Sequence, residues 1–439
     1  MYRSVMREES FAVIGALPDG SIDLFDKNAK SLFEEGRFHE MKRMNLCNSS
    51  NIIELKLKGE FERTKANIPE DVFFRSSILK SPLVAQLELT TYCNLRCKFC
   101  FSKSGKPRKN EMETSEIKRV IRQLKEMEVL SVFLTGGEPT LHPDFIEIVN
   151  YIYNLGLDCF VLTNGTQLSE ELLSQMPNRV YIVMSFDGID SHASSHGGLD
   201  FTEVKKRFAL VKRFDFPFTA QYVLHKGNLA DLEKTYEWCG ENEIDFAAID
   251  LYPTGRALSH PELFLTDSDS EDMARLALSK FKYEKIQATW VDDRENVPNP
   301  FYFSFIARLE EIFERSFSGS FFVSVASDGT VYPDNFHAGE GMFPAGNIRH
   351  QDFAEIWHNG FAKVRELCKW GNFDCCKSCT LSKYYCDFRL PVFSYNLHGN
   401  YGSCGTPVAQ KQLMLERVQL REKMKNILSP DEARGKDNW

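Results

Sequence analysis

Three closely spaced cysteines are the residues of this chain best suited to chemistry. Cys93, Cys97 and Cys100 form a C-x-x-x-C-x-x-C pattern directly after the apolar run from Leu83 to Thr91. A closed iron-sulfur cluster takes four thiolates, and structural zinc also takes four ligands, usually as two separated pairs. No fourth ligand stands near these three cysteines in the sequence. The pattern therefore favours an iron-sulfur cluster over zinc, with one iron left open to another molecule.

Strand and helix signals alternate through the part of the chain that must position this loop. Apolar residues at helical spacing separate short strand-like runs, and repeated β/α units give parallel strands with right-handed crossovers. We therefore predict the α/β class, with a partial parallel (β/α)6 barrel. The six predicted strands begin at Leu83 and continue with Ser131 to Leu134, Cys159 to Leu162, Val180 to Met184, Phe218 to Leu224 and Phe246 to Leu251.

Polar motifs follow these strands, at the rim where barrels of this kind carry their functional residues. Glu138 follows Gly136 and Gly137, and a carboxylate beside bare backbone suits an ammonium group, although two glycines also suit a plain tight turn. Arg256 either faces the rim or forms a surface ion pair. The side chains that could supply a hydrogen atom or a base, which the sequence does not rank, are Tyr222, His225, Asp250 and Tyr252.

Two smaller units are predicted on either side of the barrel, which we place at residues 81–300. Residues 1–80 read as a small α+β unit: a hairpin of Phe11 to Leu17 and Ser21 to Phe25 around a Pro-Asp-Gly turn, then a helix and a strand. Residues 301–439 read as a second unit with a hairpin, a cysteine-rich stretch and a closing helix from Val408 to Ile427.

Composition limits the classes of partner and the compartment. The 439 residues are 43% hydrophobic and 26% charged, as in an ordinary globular protein. A net charge of -9 argues against nucleic acid as a partner. No run approaches the roughly 18 apolar residues of a membrane span, so we expect a cytoplasmic protein with no membrane partner. In a reducing compartment, clustered cysteines indicate metal binding rather than disulfides, whereas the isolated Cys47, Cys159 and Cys239 suit buried apolar positions.

Together the cysteine loop and the Gly-Gly-Glu-Pro motif resemble those of radical S-adenosylmethionine (SAM) enzymes, over roughly residues 83 to 256. The resemblance implies that Cys93, Cys97 and Cys100 hold a [4Fe-4S] cluster whose open iron chelates SAM. Reductive cleavage of SAM then gives a 5'-deoxyadenosyl radical, which abstracts a hydrogen atom from the substrate. A reductant such as flavodoxin or ferredoxin is implied as a partner.

The same resemblance assigns the SAM contacts. Phe99 lies against the adenine, although it also suits a core aromatic beneath the loop. Gly136, Gly137 and Glu138 bind the methionine amino group. Thr163 and Ser185 contact the ribose or the methionine tail. Many relatives place an Arg-Gly after the Ser-x-Asp-Gly turn to meet the SAM carboxylate, whereas this chain has His196-Gly197, so His196 is the candidate substitute.

The late cysteines resemble the auxiliary-cluster pattern of SPASM-type radical SAM enzymes. The resemblance implies one auxiliary [4Fe-4S] cluster on Cys376, Cys379, Cys386 and Cys404, with a zinc knuckle as the alternative. Fuller members hold two auxiliary clusters, but Asp334 and Leu390 stand here where two of the additional cysteines would be. Cys368 and Cys375 are adjacent and either could replace a ligand in this set.

Three functions remain open at this stage. The N-terminal unit is similar to the peptide-recognition module of maturases that modify ribosomally made peptides, which favours a thioether or other crosslink in a precursor peptide. A radical SAM enzyme on a small molecule, such as a tetrapyrrole side chain, is the first alternative. A non-catalytic iron-sulfur binding protein is the second.

Overall fold

The structure, a computed structural model, describes residues 5–8, 13–16, 22–25, 79–266, 268–269, 289–291, 310, 315–377, 379 and 389–406. Near the N-terminus three strands form an antiparallel sheet in the order β1-β2-β3. Its strands are β1 Val5–Glu8, β2 Val13–Ala16 and β3 Ile22–Phe25. The predicted hairpin is present as β2 and β3, and β1, which was not predicted, pairs with β2.

Six parallel strands in sequence order form the centre of a ten-stranded sheet. They are β4 Val84–Thr90, β5 Ser131–Gly136, β6 Asp158–Thr163, β7 Tyr181–Ser185, β8 Phe218–Leu224 and β9 Asp245–Asp250. Each strand pairs in parallel with the next. The predicted α/β partial barrel is therefore confirmed, with its strands in an open sheet.

Most helices between these strands bury apolar residues. The first begins with a capping box between Glu113 and Glu116 and buries Ile117, Val120 and Ile121. Alternate residues of β4, including Leu87 and Leu89, contribute to the same core. The helices of this part are α1 Thr114–Glu126, α2 Phe145–Asn154, α3 Glu170–Ser174, α4 His192–Ser195, α5 Phe201–Arg213 and α6 Leu232–Glu241.

Residues from later in the chain extend both sides of this sheet. The strand β10 Thr289–Val291 pairs antiparallel with β9. On the other side β11 Phe322–Val325 pairs in parallel with β4, and β12 Thr330–Tyr332 and β13 Gly346–Asn347 continue the sheet outward. The predicted hairpin around Asp328-Gly329 thus adds directly to the strand that leads into the cysteine loop.

Short helices complete the described C-terminal part. They are α7 Asn335–Glu340, α8 Phe353–Glu355, α9 Ala362–Leu367, α10 Asp374–Lys377 and α11 Pro391–His398. The predicted N-terminal helix from Asn28 to Glu35, the strand from Asn51 to Phe61 and the helix from Val408 to Ile427 lie outside the described residues. Among the described helices, none is both long and apolar enough to cross a membrane.

Candidate active site

The cysteine loop closes on itself between β4 and α1. Its two ends meet where Tyr92 bridges to Gly105, with hydrogen bonds from Gly105 N to Thr91 O of 2.8 Å and from Cys93 N to Gly105 O of 3.1 Å. Glu111 secures the start of the loop by accepting hydrogen bonds from Thr91 N at 2.7 Å and from Thr90 Oγ1 at 2.8 Å. Backbone hydrogen bonds and the Glu111 carboxylate therefore anchor the loop.

Each sulfur of the three cysteines has a polar neighbour. Leu95 N donates to Cys93 Sγ at 3.4 Å, and Ser102 Oγ lies 3.4 Å from Cys100 Sγ. His196 Nδ1 lies 3.3 Å from Cys97 Sγ. Burial raises the pKa of Cys93 to about 11, with the other two thiols adding to the effect. A positively charged group bound by the loop would therefore be needed to favour the thiolate form of these cysteines. Polar N–H and O–H groups near the sulfurs are also typical of iron-sulfur sites.

The chemistry of the three donors suits an iron-sulfur cluster. Among the residues that the structure describes, no group of three His, Cys, Asp or Glu could hold a single metal ion. Thiolates are the ligands of a [4Fe-4S] cluster, in which each binds a different iron. Cys93, Cys97 and Cys100 supply three such donors.

The motif after β5 lies tightly against the cysteine loop. Gly137 N donates to Thr90 O at 2.7 Å, and Glu138 N donates to Tyr92 O at 2.8 Å. A Cβ on Gly137 would stand 2.0 Å from Tyr92 O, and one on Gly136, whose φ is +139°, would stand 2.2 Å from Thr90 O. The two glycines are needed because the backbones approach so closely.

The Glu138 carboxylate faces inward. It is fully buried and accepts hydrogen bonds from Thr163 Oγ1 at 2.7 Å, Asn164 N at 2.7 Å, and both the backbone and the hydroxyl of Thr140. Burial raises its pKa even though these donors lower it. Two of the side chains assigned to SAM from the sequence, Glu138 and Thr163, thus use polar atoms to join the ends of β5 and β6.

Other assigned SAM contacts occupy different surroundings. Ser185, at the end of β7, is half-buried. Phe99 is half-buried too, with its ring centroid 5.4 Å from that of His196 and 5.5 Å from that of His225. Phe99 also packs beside the buried cluster of Leu251, Ala257 and Leu263, so the core-aromatic interpretation of Phe99 describes part of its contacts.

His196 belongs to a buried polar cluster rather than to an open surface. Its Nε2 lies 2.9 Å from Asp187 Oδ2, and its ring stacks 4.3 Å from that of His192. Burial disfavours a charged ring, but Asp187 and then Cys97 outweigh it and raise the pKa of His196 to about 10. Burial and the neighbouring His196 lower the pKa of His192 to about 3. Both ring nitrogens of His196 are therefore engaged by protein groups.

The loop after β9 holds the cysteine loop from the other side. Arg256 donates from Nε to Cys97 O at 2.8 Å and from Nη1 to Ser104 O at 2.9 Å. Its own backbone N donates to Cys100 O at 3.0 Å. Of the two alternatives left by the sequence, these contacts favour the one in which Arg256 faces the rim, where it supports the backbone between the cysteines.

The four side chains considered as hydrogen donor or base differ in access. Tyr222 is fully buried and donates to Asn228 O at 2.6 Å, and burial raises its pKa. His225 and Asp250 are also buried. Tyr252 alone is partly exposed, and it stacks on Phe393 at 5.1 Å. Access thus favours Tyr252 among these four side chains.

The late cysteines separate into two environments. Cys368 is fully buried within the main apolar core, and burial raises its pKa. Cys375 Sγ lies 3.9 Å from Cys376 Sγ, and burial followed by the thiols of Cys376 and Cys404 raises the pKa of Cys375 to about 12. Cys379 is half-buried, and Cys386 lies outside the described residues. Cys375 therefore stays a candidate ligand, while Cys368 has the surroundings of a core residue.

Sequence reasoning missed three residues that shape this site. Asp187 and His192 orient or contact His196, and Glu111 anchors the cysteine loop. The four-residue spacing of His192 and His196, one helical turn, was the signal for the first group. No local pattern marks Glu111, because its partners become neighbours only when the loop folds back.

Comparisons with known proteins agree with this geometry. Residues 87–239 match the radical SAM superfamily, and residues 317–380 match SPASM, an iron-sulfur cluster-binding domain. The chain is 28% identical over 319 residues to an AdoMet-dependent heme synthase of Methanosarcina barkeri, covering 66% of this chain and 86% of that protein. It is 28% identical over 297 residues to a PqqA peptide cyclase of Gluconobacter oxydans, covering 64% and 78%.

Solved structures share the fold. Streptococcus suis SuiB bound to the precursor peptide SuiA matches with a TM-score of 0.63 and 17% identity, over 93% of this chain and 98% of SuiB. The protein anSMEcpe with bound AdoMet and a Cp18Cys peptide matches with a TM-score of 0.60 and 20% identity, over 79% and 100%. With the cysteine loop and the parallel sheet in place, the two domain matches identify a radical SAM domain and a SPASM iron-sulfur domain in this chain.

Proposed function

We propose that this enzyme abstracts a hydrogen atom from a ribosomally made precursor peptide and forms a thioether or another crosslink in it. The observation that carries the proposal is the N-terminal sheet, in which β2 pairs on both sides and β1 and β3 each pair on one side among the described strands. An open strand edge can receive an extended peptide as an additional strand. The similarity to PqqA peptide cyclases, whose name states a peptide substrate, supports the same class.

When bound, the cluster and SAM supply the 5'-deoxyadenosyl radical that takes the hydrogen atom. The chain's own residues hold that chemistry in place: Cys93, Cys97 and Cys100 are the proposed ligands, and Arg256 and Glu111 fix their loop. Since Glu138 is engaged internally, the proposed SAM amino contact falls to the backbone of Gly136 and Gly137 rather than to the carboxylate. Ser185 and Phe99 remain proposed contacts.

Closing a crosslink removes two hydrogen atoms from the peptide. One would go to the 5'-deoxyadenosyl radical. The other would leave as a proton, taken up by solvent water, and as an electron, for which we propose the auxiliary cluster as acceptor. Cys376, Cys379, Cys386 and Cys404 are its proposed ligands, with Cys375 as the substitute that its contacts favour. A cytoplasmic location and a flavodoxin or ferredoxin reductant complete the proposal.

The test uses the full chain, reconstituted anaerobically, with SAM, a reductant and the peptide product of any small open reading frame found beside its gene. We expect 5'-deoxyadenosine and a peptide lighter by two hydrogen atoms, neither of which forms with the Cys93→Ala, Cys97→Ala, Cys100→Ala variant. Deletion of residues 1–25 should abolish peptide modification while SAM cleavage continues. A peptide that is neither bound nor changed while SAM is cleaved would refute the peptide substrate.

Iron content tests the number of clusters. Two cubane clusters give about eight irons per chain, of which about four survive in the triple cysteine variant. About four irons in the wild-type chain, with bound zinc at the late cysteines, would show the zinc knuckle instead.

A tetrapyrrole is the second candidate substrate, favoured by the similarity to the AdoMet-dependent heme synthase over 86% of that protein. Equilibrium binding of a porphyrin and of the neighbouring peptide, measured side by side, separates the two. Tight porphyrin binding with turnover and no peptide binding would favour the small molecule.

A further inference from the structure

A buried histidine links one cysteine of the cluster loop to a carboxylate in the loop that follows β7. His196 is 3% exposed and Asp187 is fully buried. Cys97 Sγ lies 3.3 Å from His196 Nδ1, and Asp187 Oδ2 lies 2.9 Å from Nε2. Asp187 is itself fixed, because its Oδ1 accepts a hydrogen bond from Val223 N at 2.8 Å. The chain of contacts therefore runs from strand β8 to the sulfur.

The groups on both sides of the His196 ring are acceptors once iron is bound. A carboxylate has no proton to donate, and a thiolate that ligates iron has none either. Nδ1, the ring nitrogen that faces the sulfur at 3.3 Å, is therefore the donor in the contact with Cys97.

We propose that His196, oriented by Asp187, donates an N–H···S hydrogen bond to the Cys97 thiolate and eases reduction of the cluster held by Cys93, Cys97 and Cys100. His196 and Asp187 are thus positioning residues of the electron-transfer step. Reduction adds one negative charge to the cluster, which an N–H donor beside the ligand sulfur stabilises.

The inference depends on the cluster at the three cysteines and not on the identity of the substrate. Failure of the peptide test therefore does not contradict the inference. An absence of iron at this loop in the wild type would refute both the inference and the proposed function.

Redox titration of the reconstituted enzyme, followed by electron paramagnetic resonance, tests the proposal. The signal that changes on adding SAM identifies the open cluster. In His196→Ala we expect the equilibrium constant for its one-electron reduction to fall about tenfold, which corresponds to about 59 mV. His196→Asn retains an N–H near the Nδ1 position, so its equilibrium constant for reduction should lie between those of His196→Ala and the wild type. The matched control is His350→Ala, an exposed histidine, which should leave the potential unchanged.

Thermal melting of the iron-free proteins separates this effect from misfolding. If His196→Ala melts like the wild type but retains less iron at this loop, the result also supports the proposal, because outer partners of ligands strengthen metal binding. Equal potentials and equal iron content in His196→Ala, His350→Ala and the wild type would overturn it.

Discussion

Replacing Gly137 by alanine tests whether the motif after β5 is shaped by contact with the cysteine loop. An added Cβ would stand 2.0 Å from Tyr92 O and 2.4 Å from its carbonyl carbon. Real Cβ atoms are essentially never closer than 3.0 Å to such atoms, so one backbone must move by about 1 Å. Both obstructing atoms belong to main chain at the entrance of the cysteine loop, where no side chain can rotate away.

The cost has two parts. Overpacking of this kind costs about 1–3 kcal/mol. The displacement also weakens the hydrogen bonds that Gly137 N and Glu138 N donate across the contact, each contributing about 1 kcal/mol. We expect a loss of about 3 kcal/mol in the free energy of unfolding. For a unit of about 200 residues this lowers the melting temperature by about 6–12 °C.

Gly240→Ala is the matched control. It makes the same chemical change in α6, where an added Cβ meets nothing within 4 Å, so we expect no loss and a gain of up to about 1 kcal/mol. Melting of the iron-free chains and iron content after reconstitution are the two measurements. If Gly137→Ala melts within about a degree of the wild type and holds as much iron as Gly240→Ala, the close approach of the two backbones is not as described.

Three further outcomes are expected. Arg256→Lys keeps the charge but cannot span two carbonyls, so a chelator should remove its iron about tenfold faster. Hydrogen bonds hold the pKa of Glu111 below its ordinary value of 4.5 despite burial. We therefore expect the iron-free wild type to be more stable to melting than Glu111→Gln by about 1–3 kcal/mol. This difference in stability is full above pH 4.5 and is lost as the pH falls through the lowered pKa. Cys376→Ala should lose about four irons, whereas Cys368→Ala should keep its iron and lose about 1 kcal/mol of stability.

Periodicity was enough to predict the sheet, because each strand and helix buries its own apolar residues. The six parallel strands formed in the predicted order, and their bounds differ from the predicted ones at the ends, as where β5 continues to Gly136. The cysteine loop was equally visible because its ligand spacing is local. The sequence therefore predicted that each loop lies at the same rim, and in which order.

The sequence could not predict how the side chains at the rim are oriented. Whether the Glu138 carboxylate points to a ligand or to protein depends on Asn164 and Thr163, which a different strand delivers. The contact of His196 with Cys97 joins residues 99 positions apart, and spacing within either segment contains no trace of the other. The partners of Arg256 could not be predicted for the same reason, since its two carbonyl acceptors have no signature in the sequence.

The pairing of β11 with β4 has a consequence for the order in which the protein is made. Until the chain reaches residues 322–325, one edge of β4 has no partner in the described sheet, and Glu340, which accepts from Gly255 N at 2.7 Å and pairs with Lys103 of the cysteine loop, has not been synthesised. Contacts between such distant segments form late. The ribosome thus releases the loop of three thiols before its surroundings have formed. We therefore expect iron to be inserted after synthesis of the chain is complete.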